Sequence, residues 1–303
     1  VVFLLPRALI ILIPVAPTSD AEWYVLRGIG MAAGLGYDAN NGSPTAFWPV
    51  GWPMALSVLF RITEPTAIAI GLFNLGSAAL GGWLTLLLGR RLFGSEAAAR
   101  IGFLLLAVYP NAIGYIPLAL TEVFYSTLLL ILAYLFVTGR RTGLWLLLTA
   151  LVFGFTTLVK PQTLVLLPAF FAIDWLRKGN VWQRLPVMIG RGALTLALAS
   201  VVIAPWAMRN RDELGSWVAV STNGGFNLLI GNNDEATGGY GEDTRAFTAM
   251  MNQTGLNEVE ADAKAKRQGL EWISANPLSF VALAPKKLAL LWLPDGEAEW
   301  AYQ

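Results

Sequence analysis

Two carboxylates near the start of the chain are the first residues whose type and position suggest chemistry. Asp20 and Glu22 directly follow the apolar run VVFLLPRALIILIPVAP, so at least one of them is predicted to lie at the mouth of a membrane. A carboxylate held where the dielectric is reduced can act as a general base. A simpler interpretation stays open at this point, in which two solvated acids occupy the first turn of a helix that starts near Ala21.

The stretch 18–65 around these acids is predicted to be a structured external loop. Aromatic and polar side chains crowd into it, and such side chains provide walls and hydrogen bonds for a sugar. They are Tyr24, Arg27, Tyr37, Asp38, Phe47, Trp48 and Trp52. Of these, Tyr24, Tyr37 and Trp48 are the predicted substrate-binding residues.

Two cations far along the chain are the predicted partners of a phosphate. Lys160 lies between two short apolar segments, where a charge at membrane depth is costly unless it reaches the surface or meets an anion. Arg209 follows Trp206 at the outer end of a predicted span, and its guanidinium can contact phosphate oxygens in a bidentate way. Lys160 and Arg209 are therefore predicted to share one phosphate, while snorkelling of Lys160 and an interface anchor at Arg209 stay open as alternatives.

Glu122 opens a predicted span after Pro117, at the outer edge of the membrane. It is either an ordinary interfacial acid or a residue that faces the same cavity as Asp20 and orders an acceptor or a metal. We count it among the predicted substrate-binding residues.

The segment STNGGFNLLIGNND supplies turn residues and amide side chains that suit sugar hydroxyls. It is predicted to be extended or looped, with Asn223, Asn227 and Asn232 as substrate-binding residues. A loop that is simply held together by its own asparagines explains the same composition.

The composition defines the class of protein and limits its chemistry. With 55% hydrophobic and 14% charged residues and a mean hydropathy of +0.56, the chain is predicted to be an integral membrane protein. It contains no Cys and no His, which excludes a thiol nucleophile, an imidazole base and the usual zinc site. No organic cofactor is predicted, and a divalent metal on Asp20 and Glu22 stays possible although two acids make a poor site.

The lengths of the apolar runs predict an all-α multi-pass fold of about seven to eight transmembrane helices. Arg and Lys gather at alternate ends of these runs, which places the 18–65 loop and everything from residue 209 onward outside. Residues 1–208 thus form a transmembrane module, 209–277 an external segment, and 278–303 an interfacial stretch or the incomplete start of a further span. The runs are 1–17, as the end of a first span, 66–88, 97–117, 121–138, 143–159, 162–176 and 187–207.

The external segment contains one clear helix. Asn257 is the predicted N-cap with Glu260 three residues later, apolar residues follow at helical spacing, and the helix is predicted to stop before Pro277.

With these residues identified, the chain resembles the GT-C glycosyltransferases that use polyprenyl-phosphate sugars. It resembles in particular the bacterial relatives of the dolichyl-phosphate-mannose protein mannosyltransferases and of the aminoarabinose transferases that modify lipid A. The matching pieces occur in the same order over nearly the whole chain. They are SDAEWYVLRGIGMAAGLGY, FWPVGWPMALSVLF, YIPLALTEVFY, LVKPQTLVLLP, APWAMRNRDELG, STNGGFNLLIGNND and the helix that ends in ISANP.

The resemblance implies an inverting transfer with Asp20 as the base that activates the acceptor. Glu22, in Asp-Ala-Glu here where the mannosyltransferases have adjacent Asp-Glu, is the second catalytic candidate. Lys160 and Arg209 match the family's basic residues near the lipid phosphate. The implied partners are a polyprenyl-phosphate sugar donor, a lipid, glycan or protein acceptor, and membrane lipid, with no nucleic acid. The implied location is the bacterial inner membrane, with the active site on the periplasmic side.

Two other functions fit the same sequence. A transporter or flippase for a lipid-linked saccharide would place its polar groups near the membrane midplane, whereas the acids here lie at the outer ends of predicted spans. A non-catalytic paralogue is the third possibility.

Overall fold

The regular structure of the chain is helical. The computed structural model describes residues 2–13, 15–139, 143–169, 172, 181–239 and 255–292, and within them the only strand-like pairing is an isolated bridge between Asp38 and Pro44. The predicted all-α class is confirmed. A 3-10 helix spans Pro161–Val165. The α-helices are α1 (Leu4–Ile10), α2 (Ser19–Ala32), α3 (Gly51–Phe60), α4 (Ala67–Phe93), α5 (Glu96–Val108), α6 (Pro110–Gly114), α7 (Glu122–Thr138), α8 (Gly143–Val159), α9 (Val181–Leu214), α10 (Gly224–Gly231), α11 (Glu258–Ala275) and α12 (Pro277–Leu290).

Two of these helices are long and apolar enough to cross a membrane. They are α4, with 27 residues, and the part of α9 from Leu185 to Leu214, with 30 residues. A span of the hydrocarbon core takes about 20 residues. Helices α3, α7 and α8 are apolar but shorter. Length and composition therefore give a weak indication of a membrane protein.

The predicted span 97–117 is wrong as one continuous helix, because the chain breaks between α5 and α6. Tyr109 is extended, with ψ of 116°, since the ring of Pro110 disfavours helical backbone in the residue before it. The break leaves carbonyl groups at the end of α5 without helical partners. The fully buried Arg7 donates hydrogen bonds to two of them, at 2.8 and 3.0 Å.

A close helix contact fixes the position of Lys160. A Cβ atom on Gly51, at the start of α3, would lie 2.5 Å from the backbone nitrogen of Val159 at the end of α8, so only glycine fits. Trp52, the next residue, is fully buried and donates from its indole nitrogen to the carbonyl oxygen of Ala119 at 2.9 Å. The start of α3 thus holds the end of α8 and the turn before α7 together.

The Asn-rich segment was predicted to be extended or looped, and this is wrong over its central part, which forms α10. Asn223 is the N-cap of this helix. Phe226 and its apolar neighbours pack against Ala261 and Ala265 of α11 in one buried cluster. Burial of this apolar face outweighs the turn-forming tendency of the Asn and Gly residues.

Helix α11 begins as predicted. The Asn257 side chain accepts from the Glu260 backbone nitrogen at 2.9 Å, and the Glu260 carboxylate accepts from the Asn257 backbone nitrogen at 3.0 Å. The predicted capping box and the stop before Pro277 are both confirmed. Within the predicted stretch 278–303, α12 forms the first part, and residues 293–303 lie outside the described residues.

Candidate functional site

Seven of the eleven predicted site residues line one cavity of about 710 Å³, which we call the polar cavity. A volume of this size is typical of small-molecule sites, which run from about 300 to 1,000 Å³. The cavity lies between α2, the turn before α7, the 3-10 helix, the segment 217–224 and α11. The predicted residues that line it are Asp20, Tyr24, Trp48, Glu122, Lys160, Asn223 and Asn227.

Helix α2 brings Asp20 and Tyr24 to the same wall. The helix begins at Ser19, two residues before the predicted start near Ala21. Asp20 therefore lies in its first turn, and Tyr24 follows one turn later on the same face. Tyr24 is buried and meets the Trp48 ring edge-on, with centroids 6.3 Å apart. Burial raises the pKa of Tyr24 well above its usual value, and the charges of Asp20 and Glu122 raise it further. Tyr24 is therefore a neutral hydroxyl donor at ordinary pH.

Lys160 and Glu122 form an ion pair in the wall of the polar cavity. The Lys160 Nζ atom lies 2.9 Å from Oε1 of Glu122 and 5.6 Å from the centroid of the Tyr125 ring. The other carboxylate oxygen of Glu122 is buried and has no hydrogen-bond partner within the described residues. The site thus presents a paired cation together with a carboxylate oxygen whose hydrogen-bonding capacity is unused.

Buried polar groups fix the turn that precedes Glu122. Asn74 of α4 is fully buried and donates to the carbonyl oxygens of Ile116 and Leu118, at 3.1 and 2.9 Å. Together with the Trp52 bond to Ala119, these contacts tie three backbone positions of the turn. These buried hydrogen bonds fix the position of the turn, although the side-chain oxygen of Asn74 has no hydrogen-bond partner within the described residues.

Glu22 does not line the polar cavity. Two residues along a helix correspond to a rotation of about 200°, so the side chain of Glu22 leaves α2 on the face away from Asp20 and is exposed. The two acids do not converge on a common point. Across the described ranges, no group of three or more acidic, His or Cys side chains is placed to hold a metal ion.

Arg209 and Tyr37 lie beside the polar cavity and support it. Arg209 donates to the backbone oxygens of Tyr37 and Thr45 at 2.7 and 2.8 Å, and its guanidinium is 3.6 Å from the carboxylate of Asp38. Tyr37 is buried and donates from its hydroxyl to the carbonyl oxygen of Trp48 at 3.0 Å. The structure therefore does not bring Arg209 to the cavity that contains Lys160. The Arg209 guanidinium group instead binds the backbone of the 37–45 loop.

Asn232 is also separate from the polar cavity. Its amide nitrogen donates to the carbonyl oxygen of Leu228 at 2.8 Å, and its amide oxygen accepts from the Lys287 Nζ atom at 3.2 Å. Asn232 therefore links two helices, because its amide nitrogen binds α10 and its amide oxygen binds α12.

Several residues of the polar cavity were not predicted. Asp262 and Lys266 come from α11, Gln162 from the 3-10 helix, and Trp217 from the segment after α9. Asp262 accepts from the backbone nitrogen of Gly225 at 2.6 Å, and burial raises the pKa of its carboxyl. The spacing of Asp262 and Lys266 by one helical turn was visible in the sequence, but nothing there showed which face of α11 meets the cavity.

A second, larger cavity of about 960 Å³ shares Glu122 with the polar cavity, and we call it the apolar cavity. Its wall is mostly apolar and includes Gly81 and Gly82 of α4. Two cations, Arg7 and Lys287, also line it. Glu122 therefore lies at the boundary between a polar and an apolar chamber.

The fold and the site define an all-helical protein with a charged cavity beside an apolar one. No protein-family profile, curated protein or solved structure matches the chain.

Proposed function

We propose that the chain is an integral membrane glycosyltransferase of the GT-C type, which moves a sugar from a polyprenyl-phosphate donor to an acceptor. The single observation that carries the proposal is that Asp20 and Lys160, a candidate base and a candidate phosphate ligand, line the same cavity although 140 positions separate them. The two residues do not belong to one local motif, so only the folding of the chain can bring them to the same cavity.

The exposed surface supports the membrane part of the proposal. On α5, Ile101, Leu105 and Val108 are 58%, 65% and 62% exposed, and Val201 of α9 is 66% exposed. Apolar faces of this extent are unusual on soluble monomers and suit contact with lipid. We propose a multi-pass topology of about seven to eight spans, with the polar cavity on the periplasmic side of a bacterial inner membrane.

The proposed reaction is a single displacement with inversion. The Asp20 carboxylate takes the proton of an acceptor hydroxyl or amine while the acceptor atom bonds to the anomeric carbon of the donor sugar. The bond between that carbon and the phosphate oxygen breaks, and the polyprenyl phosphate departs with the bonding electrons. The Lys160 ammonium group moves from the Glu122 carboxylate to the departing phosphate and stabilises its negative charge.

Other residues of the site have supporting roles in this reaction. Tyr24, Trp48, Asn223 and Asn227 contact the substrates, and Tyr24 offers a hydroxyl that stays protonated. Arg209 holds the 37–45 loop in place of the phosphate contact that the sequence suggested. Lys160 is the cation assigned to the phosphate in this scheme, and no step is routed through a divalent metal.

The apolar cavity is suited to the lipid part of the donor. It opens beside Glu122, next to the chamber that contains Lys160, and its wall is mostly apolar. In this arrangement the sugar phosphate of the donor lies in the polar cavity and the first units of its lipid chain lie in the apolar cavity. Glu122 lies at the boundary, next to the bond between phosphate and lipid.

The test is a transfer assay with purified protein in lipid nanodiscs, polyprenyl-phosphate sugars and candidate acceptors. Asp20→Asn should lower the transfer rate by about 100-fold or more, the effect of removing a general base, while donor binding is retained. Glu22→Gln is the matched control, since Glu22 lies two residues away and outside the cavity. Full transfer by Asp20→Asn would remove the proposed base, and lipid translocation without any transfer would favour a flippase.

A further inference from the structure

One side of the polar cavity presents polar side chains that no other part of the described structure uses. Gln162, Asn227 and Lys266 come from three different helices and are exposed, and their side chains make no hydrogen bond or ion pair with any described residue. We call these three, together with Trp217, the outer wall. Convergence of uncommitted donors and acceptors on one cavity is the usual arrangement of a binding site.

Trp217 supplies an open aromatic surface in the outer wall. Its side chain is 64% exposed although it lines a cavity. The Arg211 guanidinium lies 4.8 Å from the ring centroid and covers part of one face, so much of the ring is open. A large exposed ring that is not needed for core packing is available to stack on a ligand.

This combination of groups selects the chemistry of the ligand. A sugar ring has a face of C–H groups, which stacks on an aromatic ring, and an edge of hydroxyls, which amides and ammonium groups bind. A purely apolar ligand would leave the three polar side chains of the outer wall without partners. A small ion would leave Trp217 unused.

We propose that the outer wall binds the acceptor, and that the acceptor is a saccharide whose ring stacks on Trp217 while Asn227, Gln162 and Lys266 bind its hydroxyls. The role as acceptor rests on the proposed function, because a second sugar in the same cavity as Asp20 is then the one whose hydroxyl is activated. The binding itself is independent of transfer.

Binding is tested first, without donor. The full chain in nanodiscs is examined by saturation-transfer NMR with maltose, lactose, cellobiose and N,N′-diacetylchitobiose as probes and inositol as a non-sugar polyol. At least one disaccharide should bind. Trp217→Ala should weaken its binding about tenfold, the loss expected of one stacked aromatic ring. Trp217→Phe should restore most of it, and Trp83→Ala, which removes an exposed Trp of α4 away from the cavity, should have no effect.

Transfer is tested next. Lys266→Ala should raise KM for a saccharide acceptor about tenfold and leave kcat unchanged, because it removes binding that is equal in the ground and transition states. Lys264→Ala is the matched control, since Lys264 is exposed on the same helix but does not line the cavity.

The outcomes separate the two proposals. If no disaccharide binds, or if Trp217→Ala binds as the wild type does, the outer wall is not a saccharide site. Transfer only to a peptide or a simple lipid, insensitive to Trp217→Ala, overturns the saccharide acceptor and leaves the glycosyltransferase standing. If saccharide binding depends on Trp217 but no transfer is seen under any condition, the glycosyltransferase proposal and the acceptor role are refuted. The saccharide-binding site then remains.

Discussion

The Nζ atom of Lys160 lies 2.9 Å from Oε1 of Glu122, across 38 positions of the chain. The cation is therefore already neutralised when the site holds no ligand. In the proposed reaction, the donor phosphate would take the Lys160 ammonium from the Glu122 carboxylate. The pair lies between the two cavities, so this exchange occurs where the sugar and the lipid of the proposed donor would meet.

The ion pair should matter more for activity than for stability. The two side chains are 25% and 41% exposed, and pairs of this kind contribute about 0–1 kcal/mol to folding. Lys160→Met should therefore change the unfolding free energy by no more than about 1 kcal/mol while lowering transfer by about 100-fold. Thermal unfolding and transfer rates measure the two effects. Lys264→Met is the control, and wild-type transfer by Lys160→Met would contradict the phosphate role.

The Glu258 carboxylate should be needed to dock α11. It accepts from the Thr45 hydroxyl and the Ala46 backbone nitrogen, each at 2.7 Å, and from the Thr222 hydroxyl at 3.2 Å. Glu258→Ala leaves these partly buried donors without a partner, at a cost of about 1–3 kcal/mol. Hydrogen exchange of α11 should accelerate accordingly. Glu271→Ala, at an exposed position of the same helix, should leave exchange unchanged, and equal protection in both variants would refute the docking role.

Gly51 should be irreplaceable at the contact between α3 and α8. A Cβ atom there would lie 2.5 Å from backbone, which cannot move aside as a flexible side chain can. Gly51→Ala should cost about 1–3 kcal/mol by overpacking and disturb the position of Lys160. Gly76→Ala in α4 is the control, because no atom lies within 4 Å of its added Cβ. Thermal unfolding compares the two, and similar midpoints would argue against a tight contact.

Asp262→Asn should stabilise the protein at neutral pH. Burial raises the pKa of Asp262 above its usual 3.8, so the folded state holds this proton more tightly than the unfolded chain does. Stability from this group is present below the unfolded pKa and is lost as pH rises through the folded pKa. Asparagine is never charged, and its oxygen can still accept from Gly225. The variant should gain stability relative to wild type as the pH rises from 3 to 7, and denaturant titrations at several pH values measure this.

Local signals in the sequence predicted local structure well. The capping box of Asn257 and Glu260 marks the start of α11 because both partners lie within one turn. Asp20 and Tyr24 could be placed together for the same reason, since they are one helical turn apart. Lys160 was singled out because a cation between apolar segments needs an anion, and the structure supplies Glu122.

Relationships between distant segments were not visible in the sequence. Arg209 has the chemistry of a phosphate ligand, but only the fold shows that its fork is occupied by the backbone of the 37–45 loop. Asn232 looked like its neighbours Asn223 and Asn227, and its separate position depends on where α12 places Lys287. Outer-wall residues such as Trp217 were missed because exposure within a cavity leaves no periodic pattern in the chain.

The bonds of Glu258 to Thr45 and Ala46 join positions more than 200 residues apart, at 213 and 212. Helix α11 supplies one wall of the polar cavity around Asp20, so this wall is absent until α11 has been synthesised. A nascent chain that has not yet reached α11 therefore holds Asp20 without this wall.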